Sequence, residues 1–275
     1  MITEKSVLAG PFKTSYIEAG DPTNPTIVLI HDGAFGTTAD LCWGAVAGGL
    51  ADQYHVVAPD LLGWGATDKV VYFDRSPYAP RIAHVKLFLE TIGVSNAYFA
   101  GASFGGSMIL RALTDSSQPW AVDKAVTLSG TGGPFRLASG IEALADYNPS
   151  LEAAARLTSL VVTSLKGLED HVKVRYENSL LPGHWEALSA PRLHNPALKR
   201  QTRSDPFLES LAKVVTPVLF VEGRNDQLLE DGWAAKLSKL TPDSTHIILE
   251  YGHEPNIEDP GAVVKILKEY FGAGA

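Results

Sequence analysis

The stretch Gly101-Ala102-Ser103-Phe104-Gly105-Gly106 sets one serine between glycines two positions away on each side. The run before it, Ala97–Ala100, is apolar and β-rich, and Phe104–Leu113 after it has a helical pattern. A Gly-x-Ser-x-Gly sequence between a strand and a helix predicts a nucleophile elbow. Such a turn is too tight for side chains at the flanking glycines. It leaves the Ser103 hydroxyl in the open at a helix N-terminus, where the dipole favours developing negative charge. The plainer alternative for a glycine-rich turn is phosphate binding or packing. A serine nucleophile also needs a base, and the base needs a partner that orients it. Asp226, in Gly223-Arg224-Asn225-Asp226, follows the apolar run Val218–Val221, and His253, in Gly252-His253-Glu254, follows Thr245–Leu249. Both therefore stand past the carboxyl ends of expected strands. Glu230 and Asp231 are alternative acids for the same loop. Other histidines sit less well: His55 opens a strand, His246 lies within one, His84 lies in a helix, and His171, His184 and His194 fall in a helical region.

Acyl transfer also needs hydrogen-bond donors for an oxyanion. The N–H of Phe104, next after the serine, is one candidate. The second is expected from His31-Asp32-Gly33-Ala34-Phe35-Gly36, where Gly33 lets the backbone approach a substrate oxygen; a loose glycine loop is the alternative. Asp32 is expected to turn its carboxylate away and bond the backbone, since a second negative charge would oppose the oxyanion. The glycine-punctuated loop Asp60–Asp68 reads as structural. Trp43, Trp64 and Trp185 can line a pocket or pack in a core, and Cys42 reads as a small buried apolar residue.

These groups need a scaffold, and the pattern around them supplies one. Short β-rich runs at Thr26–Ile30, His55–Ala58, Ala97–Ala100, Ala125–Leu128, Val218–Val221 and Thr245–Leu249 alternate with helical patterns such as Tyr78–Ile92, Phe104–Leu113, Gly232–Leu240 and Pro260–Phe271. Several of the runs are continuously apolar, as strands buried on both faces are. The alternation predicts an α/β fold with a mostly parallel, doubly wound sheet, preceded by an antiparallel pair at Ser6–Ala9 and Lys13–Glu18. Residues 135–204 break the alternation with helical patterns only: Arg136–Tyr147, Pro149–Leu165 with Asn148 as its cap, Gly167–Leu181 and His184–Ser189. This stretch is expected to be a helical cap inserted after a central strand, over the sheet end where ligands bind, with 1–134 and 205–275 as the core. Ordinary crossover helices are the alternative.

The chain of 275 residues carries 23 basic and 31 acidic side chains, a net charge of −8. An acidic chain without basic clusters excludes nucleic acid and anionic membranes as expected partners. A single cysteine forms no internal disulfide, and no zinc-spaced His/Cys cluster or dinucleotide-binding glycine motif is present. No metal or cofactor is therefore expected. With neither a signal-peptide pattern nor a long apolar span, the expected location is cytoplasmic. The expected partner is a small-molecule substrate, with a homodimer as the candidate assembly.

Taken together, these motifs resemble the α/β-hydrolase superfamily over essentially the whole chain, which implies an α/β-hydrolase fold and catalytic roles for Ser103, Asp226 and His253. Within the superfamily the chain is most similar to the meta-cleavage product hydrolases, which hydrolyse a carbon–carbon bond in ring-opened aromatic catabolites. The cap segments Tyr147-Asn148-Pro149-Ser150-Leu151-Glu152, Val174-Arg175-Tyr176-Glu177 and Leu181-Pro182-Gly183 carry that likeness. It implies that Arg175 holds the carboxylate of a 2-hydroxy-6-oxo-dienoate; a surface arginine is the alternative. Further candidate substrate contacts are Ala34, Ala102, Glu254 and Trp185. Three positions depart from that family: Ala102 replaces asparagine, Glu254 replaces tryptophan, and Asp32 replaces glycine. An esterase or lactonase on a small acyl substrate, and a non-catalytic ligand-binding protein, are the rival readings.

Overall fold

A computed structural model describes residues 1–72, 75–190 and 205–272. The strands are β1 (Thr3–Ala9), β2 (Phe12–Ala19), β3 (Thr26–Ile30), β4 (His55–Pro59), β5 (Ala97–Ala102), β6 (Val122–Leu128), β7 (Val218–Gly223) and β8 (Ser244–Leu249). They form one sheet in the order β1-β2-β4-β3-β5-β6-β7-β8. The pairs β1–β2 and β2–β4 are antiparallel, and every later pair is parallel.

Strand periodicity explains the layering. In β3, Ile27 and Leu29 point to one face and Val28 and Ile30 to the other, and all four are fully buried. On the first face the core is closed by α1 (Ala39–Leu50) and α11 (Pro260–Gly272), through Val46, Leu50, Leu267 and Phe271. On the second it is closed by α2 (Tyr78–Ile92), α3 (Phe104–Leu113) and α9 (Trp233–Leu240), through Val85, Phe88, Met108, Ile109, Trp233 and Leu237. Helix α2 buries Ile82, Val85, Phe88 and Leu89 at helical spacing and stops at Gly93, whose φ of 76° closes the last turn. The expected mostly parallel α/β sheet is thus present, with β3 as expected and the other strands longer by one to three residues.

Helix α1 is absent from the sequence expectation. Three of its twelve residues are glycine, so its apolar spacing is blunted; Thr38 starts it by accepting the Leu41 N–H at 3.1 Å.

Between β6 and β7 run α4 (Ala138–Ala145), α5 (Leu151–Val161), α6 (Glu169–Ser179), α7 (His184–Ser189) and α8 (Phe207–Ser210). The cap of α5 is Ser150, not Asn148: the Ser150 hydroxyl accepts the Ala153 N–H at 3.0 Å, and Pro149 stays outside the helix. Several bonds tie this helical stretch to the sheet. Asn178 Nδ2 donates to the Gly36 carbonyl at 3.2 Å, and the Glu254 N–H donates to the Val161 carbonyl at 2.8 Å. Residues 191–204, which include His194 and the end of the expected cap, lie outside the described residues. Among the described residues no helix is long and apolar enough to cross a membrane.

Candidate active site

The serine is positioned by steric exclusion. Ser103 itself has φ 50° and ψ −107°, a strained pair for a non-glycine residue. A β-carbon on Gly101 would lie 2.5 Å from the Gly105 carbonyl carbon, and one on Gly105 would lie 2.2 Å from the Ile30 oxygen. Only glycine fits at either place, so the strand can pass directly into α3. The Ser103 N–H donates to the Leu128 carbonyl at 2.7 Å, which fastens the turn to the neighbouring strand.

The base and its partner come from the ends of β7 and β8. A β-carbon on Gly223 would sit 1.9 Å from the Gly252 oxygen, so the loops after these two strands are in contact. There His253 Nδ1 donates to Asp226 Oδ2 at 2.7 Å, and the Ser103 hydroxyl donates to His253 Nε2 at 2.7 Å. The roles follow from chemistry: an ionised carboxylate only accepts, so Nδ1 carries the proton and Nε2 is left to accept. Asp226 Oδ1 also accepts the Leu228 N–H at 2.8 Å. Burial alone would push the Asp226 carboxyl up, but His253, the Leu228 N–H and the nearby Ser129 hydroxyl outweigh it and hold the acid below its ordinary range. The two alternative acids are elsewhere: Glu230 pairs with Lys236 at 3.2 Å, and Asp231 is exposed.

Gly33 and Phe104 face each other beside Ser103. Phe104 is the first residue of α3, so its N–H has no acceptor within the helix. Both residues line a chamber of about 390 Å³ that also holds Ser103, His253, Glu254, Ala34 and Asp32. Its roof comes from the helical stretch, with Ile141, Leu144, Val161 and Leu188. Trp64 lines it too, from the loop expected to be structural. That loop does have a structural anchor in Asp60, which accepts the N–H groups of Ala39 (2.7 Å) and Ala66 (3.1 Å). The Arg81 guanidinium lies 4.7 Å from the Trp64 ring and 5.8 Å from the Phe104 ring, and burial brings its pKa down to about 10. Trp64 thus takes the pocket-lining role that was one of its two expectations, whereas the sequence reading missed Arg81, which stands in no motif.

The other expected contacts divide. Ala34 and Glu254 line the chamber, whereas Arg175, Ala102 and Trp185 do not. Ala102 is fully buried at the end of β5, Trp43 is fully buried in the core, and Trp185 is 41% exposed. Cys42 is buried, as expected. Arg175 is neither a surface residue nor a chamber residue. It is completely buried, donating through Nη1 to the Phe35 carbonyl at 3.2 Å and facing His171 Nε2 at 3.3 Å. Its charge also acts on Asp32. Burial would raise the Asp32 carboxyl, but the Arg175 charge, with His31, Thr37 and Ala34, holds it below its ordinary range. As expected of a turn residue, Asp32 accepts the Ala34 N–H at 2.7 Å, and it also accepts the Thr37 hydroxyl at 2.6 Å. Glu254 lies against the same pair. Burial, and then the Asp32 charge, push its carboxyl well above the ordinary range. Among the described residues no group of three His, Cys, Asp or Glu side chains could hold a metal ion.

An elbow serine beside a histidine, at the carboxyl edge of this sheet, defines the class. The chain belongs to the alpha/beta hydrolase family, whose pattern matches residues 27–266. Among its relatives is a 2-hydroxy-6-oxo-2,4-heptadienoate hydrolase of Pseudomonas putida, 25% identical over 275 residues and covering 98% of this chain and 96% of that one. A lipase of Psychrobacter immobilis is 29% identical over 268 residues, covering 91% of this chain and 78% of the lipase. In fold the chain is similar to a meta-cleavage product hydrolase from Pseudomonas fluorescens, with a TM-score of 0.85 at 24% identity over 98% of each chain.

Proposed function

We propose that the chain is a cofactor-free serine hydrolase in which Ser103 attacks a substrate carbonyl carbon. The observation that carries this reading is the relay from Ser103 to His253 to Asp226, with 2.7 Å at each step. In it, His253 Nε2 takes the proton of Ser103, or of a water beside it, and Asp226 orients the ring and stabilises the imidazolium. The oxyanion forms against the N–H groups of Gly33 and Phe104. Residues 135–204 act as a cap over the chamber, on a core of 1–134 and 205–275; helices on both sides of the chamber wall support that division.

For the substrate, the named activity of the Pseudomonas putida relative, matched over nearly the whole chain, supports a ring-opened 2-hydroxy-6-oxo-dienoate cleaved at a carbon–carbon bond. On that reading His253 also helps convert the dienol to its keto form before the bond breaks. One observation favours the second reading, an ester or lactone: Arg175 is fully buried outside the chamber lining and donates to the Phe35 carbonyl. A panel of yellow ring-opened dienoates beside p-nitrophenyl esters and lactones tests both readings, by bleaching of the dienoate or release of the coloured phenol. Turnover of none of them would overturn the hydrolase reading and favour a ligand-binding role.

A further inference from the structure

Glu254 follows the histidine directly, and its side chain is 1% exposed on the chamber wall. Its Oε2 is buried and has no hydrogen-bond partner among the described residues. A buried polar atom of this kind is costly unless a ligand or water completes it. Behind it lie Asp32, 1% exposed, and Arg175, fully buried. Asp32 is ionised, and Arg175 carries one positive charge whose Nη1 and Nη2 already face the Phe35 carbonyl and His171. The charge of the three together is zero if Glu254 is protonated and −1 if it is not. In neither state is it positive. The cluster therefore offers a carboxylate no net attraction, while a protonated Glu254 offers an uncharged oxygen a strong donor.

We propose that Asp32, Arg175 and Glu254 form a specificity filter, which admits a substrate presenting an uncharged oxygen acceptor to Glu254 and disfavours one presenting a carboxylate there. This rests on the reading of Ser103 as the nucleophile of a hydrolase. The raised carboxyl of Glu254 supports it, with burial and the Asp32 charge as the causes. The filter favours the ester or lactone reading. A dienoate fits only with its carboxylate directed away from Glu254, toward Arg81 and Arg136, the two arginines among the chamber-lining residues.

The test uses two chromogenic substrates of equal length, the mono-p-nitrophenyl ester of glutaric acid and the p-nitrophenyl ester of its monoamide. The wild type is expected to show a kcat/KM at least 10-fold higher for the amide. Asp32→Asn keeps an acceptor for the Ala34 N–H and presents an amide donor to the Thr37 hydroxyl, which then accepts, but it unmasks Arg175. It is expected to raise the acid ester's kcat/KM at least 10-fold relative to the amide. Glu254→Gln, which keeps an uncharged donor, is expected to stay within about threefold of the wild-type ratio. Equal rates for the two esters in the wild type, or an unchanged ratio in a folded Asp32→Asn, would overturn the filter and leave the hydrolase intact. If Asp32→Asn does not fold, the wild-type ratio decides alone. If the wild type turns over neither ester, the hydrolase reading is decided by the panel of dienoates, esters and lactones. The filter is then read by calorimetry of wild-type protein with glutarate and glutaramide, where tighter binding of the dianion overturns it and tighter binding of the diamide supports it.

Discussion

Gly33 and Phe104 stand so close that a β-carbon on Gly33 would fall 2.8 Å from the β-carbon of Phe104. The two backbone segments expected to share an oxyanion are thus held together by the absence of one side chain. Gly33→Ala must push Phe104, and with it the first N–H of α3, out of line. Loss of one oxyanion donor lowers kcat about 10²–10³-fold in well-studied hydrolases. For Gly33→Ala a fall of about 10–10³-fold in kcat is expected on a p-nitrophenyl ester, with a small change in KM. Unchanged kcat would remove Gly33 from the oxyanion site.

Gly105 makes a different prediction, one about stability. Its missing β-carbon would overlap the Ile30 oxygen at 2.2 Å, and both atoms belong to backbone that cannot swing aside. Gly105→Ala is expected to destabilise the fold by about 2–4 kcal/mol, the range of overpacking combined with backbone strain. Thermal or urea denaturation reads this directly, and a wild-type midpoint would contradict it.

His184 gives the fold an acid limit. Its Nδ1 donates to the Gly63 carbonyl at 2.9 Å while its Nε2 accepts the Gly36 N–H at 2.9 Å, so α7 is tied to two core loops by a neutral ring. Burial lowers its pKa from 6.5 to about 4. Between those values the unfolded chain binds a proton that the folded chain does not, so stability is full above pH 6.5 and falls as the pH drops toward 4. His84 and His171, also lowered to about 4 by burial, act in the same direction. His184→Gln is expected to lose about 1–3 kcal/mol at neutral pH, from two unmatched backbone groups, and to show a shallower loss between pH 6.5 and pH 4. A variant whose acid limb is as steep as the wild type's would contradict this.

Asp226 is expected to act through the histidine. Asp226→Asn preserves size but offers Nδ1 a donor where it needs an acceptor, which favours the wrong tautomer. A fall in kcat of up to about 10⁴-fold is expected, by analogy with the same change in another serine hydrolase. KM on a simple ester should change little. A variant retaining more than a tenth of wild-type kcat would point to another acid.

Much of this was legible in the sequence because the strongest signals are those in which chemistry and backbone demand the same residue. Gly101 and Gly105, on either side of Ser103, announce the elbow, since no other residue type survives their contacts. Asp226 and His253 are found because both follow apolar runs that can only be buried strands. Helix α1 was hidden by glycines that pack against neighbours and weaken its periodicity. The place of Arg175 was not legible, because its guanidinium packs inward on the Phe35 carbonyl, 140 positions away in the chain. Arg81 enters the chamber wall through tertiary packing alone, and no local pattern marks it.

The most direct measurement compares wild type with Ser103→Ala in release of p-nitrophenol from a short-chain ester, on protein shown to be folded by its melting transition. Removing a nucleophile of this kind costs about 10⁶-fold in kcat in a related mechanism, so release by the variant is expected to fall by a factor of that order. Equal rates for the two proteins would contradict the assignment of Ser103 as the nucleophile.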